Sequence, residues 1–195
     1  MRTILYLALI SCLGMPALFA QKDSIADPWT RYTQPGKVHE FLSAYKGSWQ
    51  QSSHFWMTAG EKPQTFRISA SAEMLLGGRF LQITQSGPMA GMPYEGTLLL
   101  GFNTTSEEFT CVQTSNFGTG SLVLSGRWKE PFKSIELRGE MKNPETRLAV
   151  KVRQNIIFTD TDHFRIENYD QQDGSTEFKS AEYVFSRSAL LPEKP

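Results

Sequence analysis

The side chains best equipped for chemistry in this chain are few and widely spaced. The histidines are His39, His54 and His163, and no two of them sit at a spacing that would place both on one metal. No Cys/His cluster accompanies them, so no metal site is expected. A haem would need at least one inward imidazole, and His163 alternates opposite Phe164 along its run; no cofactor is implied. Carboxylates such as Glu73, Glu95, Glu136, Glu167 and Glu182 could do acid–base work only if two converged. The pattern puts no pair on an inward face, so solvated strand faces are their reading. No nucleophile elbow or phosphate-cradling glycine loop occurs. Gly118-Thr119-Gly120 reads as a hairpin turn. Cys111, inside Phe109-Thr110-Cys111-Val112, reads as a small buried apolar residue and not as a nucleophile.

The frame around these residues begins with a processed leader. Residues 1–20 have the order of a secretory signal: Arg2, an apolar run from Ile4 to Leu13, then Ala17-Leu18-Phe19-Ala20 before Gln21. The run is too short to span a bilayer, and no later segment resembles a span. Cys12 follows Leu9-Ile10-Ser11, as in a lipoprotein site, but the apolar stretch before it is too short for lipid anchoring to be the first reading. The mature protein is therefore expected in the periplasm or outside the cell, with Cys111 alone and no internal disulfide. The chain carries 20 basic and 20 acidic residues, and loss of Arg2 leaves 19 against 20, a net charge of −1. No basic stripe exists, which excludes the electrostatic footprint of nucleic-acid binding.

Residues 21–36 read as a flexible polar leader, 37–188 as one domain and 189–195 as a tail. Val38, Phe41, Leu42 and Tyr45 share one face of a short helix over 37–46, which Gly47 ends. Ten strand-like runs follow: 47–57, 63–76, 79–86, 94–102, 107–115, 121–128, 132–140, 146–159, 162–169 and 176–187. Such a series predicts an all-β, antiparallel up-and-down barrel. Short turns at Gly77-Gly78, Asn103–Ser106, Lys129–Pro131 and Asp160-Thr161 fall at one end, with the helix beside it. Longer connections fall at the other end, including Gly87–Pro93, which reads as a flexible lid over the mouth. First and last strands should then lie side by side. That brings Trp49 and Arg187 to the short-turn end as a plug, guanidinium over indole.

Period-two alternation sorts the walls. With Trp49 inward, Gln51 and Phe55 point inward; so do Leu122, Val150, Ile166, Gln154 and Asn168 on their strands. The lumen is then mostly apolar with a few amides, which suits a small-molecule pocket. Met89, Met92 and Phe117 would line the mouth, while Gln51, Gln154 and Asn168 would orient a ligand's polar atoms. The leading reading is an exported module binding a small apolar or amphipathic molecule. The alternatives are an enzyme, an isomerase or hydrolase using a lumen carboxylate, or a packed envelope protein acting through its surface.

Several blocks carry a resemblance. They are Gly47-Ser48-Trp49, Gly77-Gly78-Arg79-Phe80-Leu81, Gly87-Pro88-Met89-Ala90-Gly91-Met92-Pro93, Gly101-Phe102-Asn103 and Phe117-Gly118-Thr119-Gly120. Together, over residues 38–188, the chain resembles the bacterial domain-of-unknown-function family 1579. It departs from the family where Gly101-Phe102-Asn103 replaces a Gly-Tyr-Asp and where Gln113-Thr114-Ser115 replaces a Trp-x-Asp. The resemblance implies a lipocalin-like, calycin-type barrel and no established activity.

Overall fold

The computed structural model describes residues 27–172 and 174–188. The leader peptide, Cys12 and the tail from 189 lie outside the described residues. Two short helices, α1 (Pro28–Thr33) and α2 (Lys37–Ser43), precede ten strands. These are β1 (Gly47–Phe55), β2 (Gln64–Leu75), β3 (Phe80–Met89), β4 (Met92–Asn103), β5 (Glu108–Ser115), β6 (Leu122–Glu130), β7 (Ser134–Lys142), β8 (Ala149–Asp160), β9 (His163–Gln172) and β10 (Phe178–Arg187). Each strand pairs antiparallel with its sequence neighbour, and β1 pairs with both β2 and β10. The sheet therefore closes as an up-and-down barrel and leaves no unpaired edge.

The sequence dictates this locally. Apolar residues recur every second position, as in Leu98 and Leu100 on β4 or Ile135 and Leu137 on β7, and all four are buried. The helices close one end. Asp27 caps α1 by accepting from the amides of Trp29 and Thr30, with Pro28 at the first helical position. A helix thus forms within the segment read as a flexible leader, and the Arg79 Nε donates to the Thr33 carbonyl at 3.1 Å, tying it to the barrel. From α2, Phe41 packs edge-on against Trp128, Phe132 and Phe158. His39 is buried beneath the same helix and accepts from the Gly36 amide at 3.0 Å; burial holds its imidazole below the usual range.

One connection differs from its expectation. The Gly87–Pro93 segment is not a lid. β3 runs on to Met89 and β4 starts at Met92, with Met89 opposite Met92 and Pro88 opposite Pro93. Only Ala90 and Gly91 form the turn, both at positive φ (51° and 77°), the requirement of the tight hairpin turn whose twist matches its strands. The pair next to the closing pair of such a turn makes no ladder hydrogen bonds, so neither proline's missing N–H is needed.

Candidate binding site in the barrel lumen

The floor is built first. Trp49 is fully buried, and its indole Nε1 donates to the Tyr45 carbonyl at 3.0 Å. The Arg187 guanidinium carbon sits 4.4 Å from the indole ring centre. Its nitrogens donate to the carbonyls of Lys46 (2.8 Å), Ala44 (2.9 Å) and Thr161, and to Asp162 Oδ1 (2.8 Å). Gly47, at φ 123°, makes room for it: a β-carbon there would sit 2.9 Å from Arg187 Nη1. Above the plug, Phe164 stacks on Phe185 at 4.2 Å and meets Trp49 edge-on at 4.8 Å. The lower lumen is thus a packed aromatic core, as in a small closed barrel.

The upper lumen has a different chemistry. Gln51 is 2% exposed and its Nε2 donates to Ser53 Oγ at 2.9 Å. Gln154 is 0% exposed and its Nε2 donates to Asn168 Oδ1 at 2.7 Å. The Oε1 atoms of both glutamines are buried without a hydrogen-bond partner. A buried carbonyl oxygen left unpaired costs about 1–3 kcal/mol; a third such atom among the described residues, Asn155 Oδ1, lies in the outward phase of β8. Tyr94 folds inward and donates to Gln85 Oε1 at 3.1 Å. It can do so because residue 96 is glycine: a β-carbon there would collide with the Tyr94 hydroxyl. Phe117 packs edge-on against Tyr94 at 5.2 Å, and Phe55 packs against Tyr183 at 5.7 Å.

The lumen also holds a carboxyl. Asp170 lies in phase with Phe164, Ile166 and Asn168, which are buried on β9. Burial pushes its carboxyl above the usual range; Ser180 opposes the rise through a hydrogen bond and Glu177 adds to it. Burial likewise pushes the Tyr183 phenol far up, with Tyr94 and Asp170 contributing. Tyr94, Asp170 and Tyr183 all have the lumen-facing phase of their strands.

Most residues singled out from sequence do face this lumen. Gln51, Gln154, Asn168, Val150, Ile166 and Met89 are buried there, and Phe55 and Leu122 are half-buried at its wall. Met92 shares the lumen face in phase but is 53% exposed at the hairpin tip, because the strand extends beyond the rim. Phe117 is 47% exposed and reaches the lumen through Tyr94. Gln85, Tyr94, Gln113, Asp170 and Tyr183 were not singled out. Alternation from Arg187 points to Tyr183, whereas the strand run over 162–169 stops one residue short of Asp170 and β9 continues to Gln172. Glu167 is buried but on the outer wall, where Lys179, Arg165 and Tyr169 all donate to it. Cys111 is a buried free thiol.

Among the described residues, no group of three or more His, Cys, Asp or Glu is placed to hold a metal. No described helix is long and apolar enough to cross a membrane.

A family model, Protein of unknown function (DUF1579), matches residues 34–187. The chain belongs to that family. No curated protein matches it in sequence. Among solved structures it is similar to that of Rv2717c from M. tuberculosis, at 18% identity and a TM-score of 0.56, covering 80% of this chain and all of that one. A redesigned β-barrel is also similar, at 13% identity and a TM-score of 0.42, covering 76% and 95% of the two chains. The Rv2717c likeness is one of fold alone.

Proposed function

We propose that this protein is an exported binding module that takes a small amphipathic molecule into the upper barrel lumen. The observation that carries the reading is the pair of buried, unpartnered Oε1 atoms of Gln51 and Gln154. In a native protein such atoms call for a partner, and a bound molecule supplies one. Phe55, Leu122, Val150 and Ile166 offer apolar wall beside them. The packed aromatic floor limits the ligand to the upper half. The signal-like residues 1–20 support export.

The test is native mass spectrometry of protein purified from its own envelope, paired with titration of a neutral apolar fluorescent probe. A retained small molecule or a saturable probe signal is expected, together with a mature N-terminus near Gln21. A mature, folded barrel that retains nothing and binds no probe would sink the reading.

Asp170 favours a second reading. A carboxyl raised by burial on the lumen face is a candidate general acid–base, which would make the site that of an isomerase or hydrolase. Asp170→Asn would then abolish turnover while probe binding persists.

A further inference from the structure

The polarity of the upper lumen also selects the kind of head group it accepts. This step rests on the binding reading above. The amide –NH2 groups of Gln51 and Gln154 each donate once, to Ser53 and Asn168. What each carries wholly unpartnered is an acceptor, its Oε1, beside one further N–H. Tyr94 has likewise spent its hydroxyl proton on Gln85. Among the described residues, the one carboxyl in phase with these groups is Asp170, one inward position mouthward of Asn168 on β9. Above the Trp49–Arg187 floor, the strand register places no Lys, Arg or His side chain of the described residues on the lumen face. Arg153, the nearest guanidinium along β8, alternates outward and pairs with Glu177 at 2.6 Å.

We infer that the ligand's polar groups are hydrogen-bond donors of the amine class, and that molecules headed by a carboxylate or phosphate are rejected. An ammonium brings three N–H donors and no acceptor to a lumen where the Gln51 and Gln154 oxygens stand unpartnered and the inward charged side chain is Asp170. Asp170 then serves as its counter-ion, in a water-poor site where a charge-assisted bond is roughly twice as strong as a neutral one. An anionic head would lose its hydration, find no cation and face two carbonyl oxygens and a carboxylate. The discrimination is thus built as much on repulsion of the wrong head as on attraction of the right one.

Three probes with one body and different heads test this: 4-phenylbutylamine, 4-phenylbutanol and 4-phenylbutyrate, each displacing a neutral apolar fluorescent probe at pH 7. The amine should displace at about tenfold lower concentration than the carboxylate, with the alcohol between. In Asp170→Asn the amine's advantage over the alcohol should shrink to about threefold or less, while the alcohol's own affinity is kept. Gln154→Leu should weaken the amine and the alcohol but not the neutral probe. Circular dichroism confirms that each variant is folded, and if Gln154→Leu is not, Gln51→Leu replaces it. A carboxylate that competes as well as the amine overturns the inference, and so does a neutral probe that binds but is displaced by no head group; in both cases the binding reading stands. If no probe binds at all, both fall.

Discussion

Arg187, the last residue of β10, lies 4.4 Å over the ring of Trp49 near the start of β1, and the two are directly opposite in the register that closes the barrel. The same guanidinium reaches backbone carbonyls in the segment after α2 and in the β8–β9 turn. One side chain thus fastens the closing seam, the helix exit and a floor turn. Trp49→Ala should cost about 3–5 kcal/mol, in line with large aromatic deletions. Arg187→Lys should cost about 1–3 kcal/mol, because an ammonium cannot serve four acceptors in the directions a planar fork does. Urea unfolding of both variants checks this; an Arg187→Lys protein as stable as wild type would contradict the fastening role.

Gly96 is predicted to hold Tyr94 inside the lumen by lacking a side chain. A β-carbon there would meet the Tyr94 hydroxyl and lie 2.9 Å from Gln85 Oε1. Gly96→Ala should cost about 1–3 kcal/mol through overpacking. Adding Tyr94→Leu to that variant should recover part of the loss, since the two changes share one contact. Strict additivity of the two changes would show that Tyr94 does not occupy the space glycine leaves.

Cys111 should be inert. It is fully buried, and burial pushes its thiol up to about 12 against a weaker opposing contact from Gln113. Iodoacetamide at pH 8 should leave the folded mature chain unmodified over a period in which the urea-unfolded chain is alkylated completely. Fast labelling of the folded protein would mean that the β4–β5–β6 wall opens readily.

Glu167 should make stability depend on acid. Burial alone would raise its carboxyl, but hydrogen bonding and charge from Lys179, with Tyr169 and Arg165, outweigh that and hold it below its ordinary value of 4.5. A depressed carboxyl stabilises the fold above its unfolded value, and the contribution is lost as pH falls through the lower folded value. Glu167→Gln should therefore be less stable than wild type near neutral pH, with the gap narrowing as pH drops below about 4.5. A gap that is constant with pH would assign the loss to packing.

The closed ten-stranded barrel and its plug were legible in the sequence. Short turns and period-two alternation are local signals, and each strand's phase follows from its own residues. Gln51, Gln154 and Asn168 were placed inward on that basis, and they are buried there. The limits were equally physical. Gly87-Pro88-Met89-Ala90-Gly91-Met92-Pro93 has the composition of a loop, and only the cross-strand register reveals that its prolines lie where the ladder asks for no N–H. Met92 has the right phase, but exposure depends on how far the hairpin outruns its neighbours. Tyr94, Asp170 and Tyr183 come from β4, β9 and β10, and closure of the barrel turns all three to one lumen. Phase along a strand is written in the strand, whereas depth in the lumen and the partners found there depend on side chains distant in sequence, so only the tertiary structure decided which inward groups meet and which two of the lumen's oxygens were left without a partner.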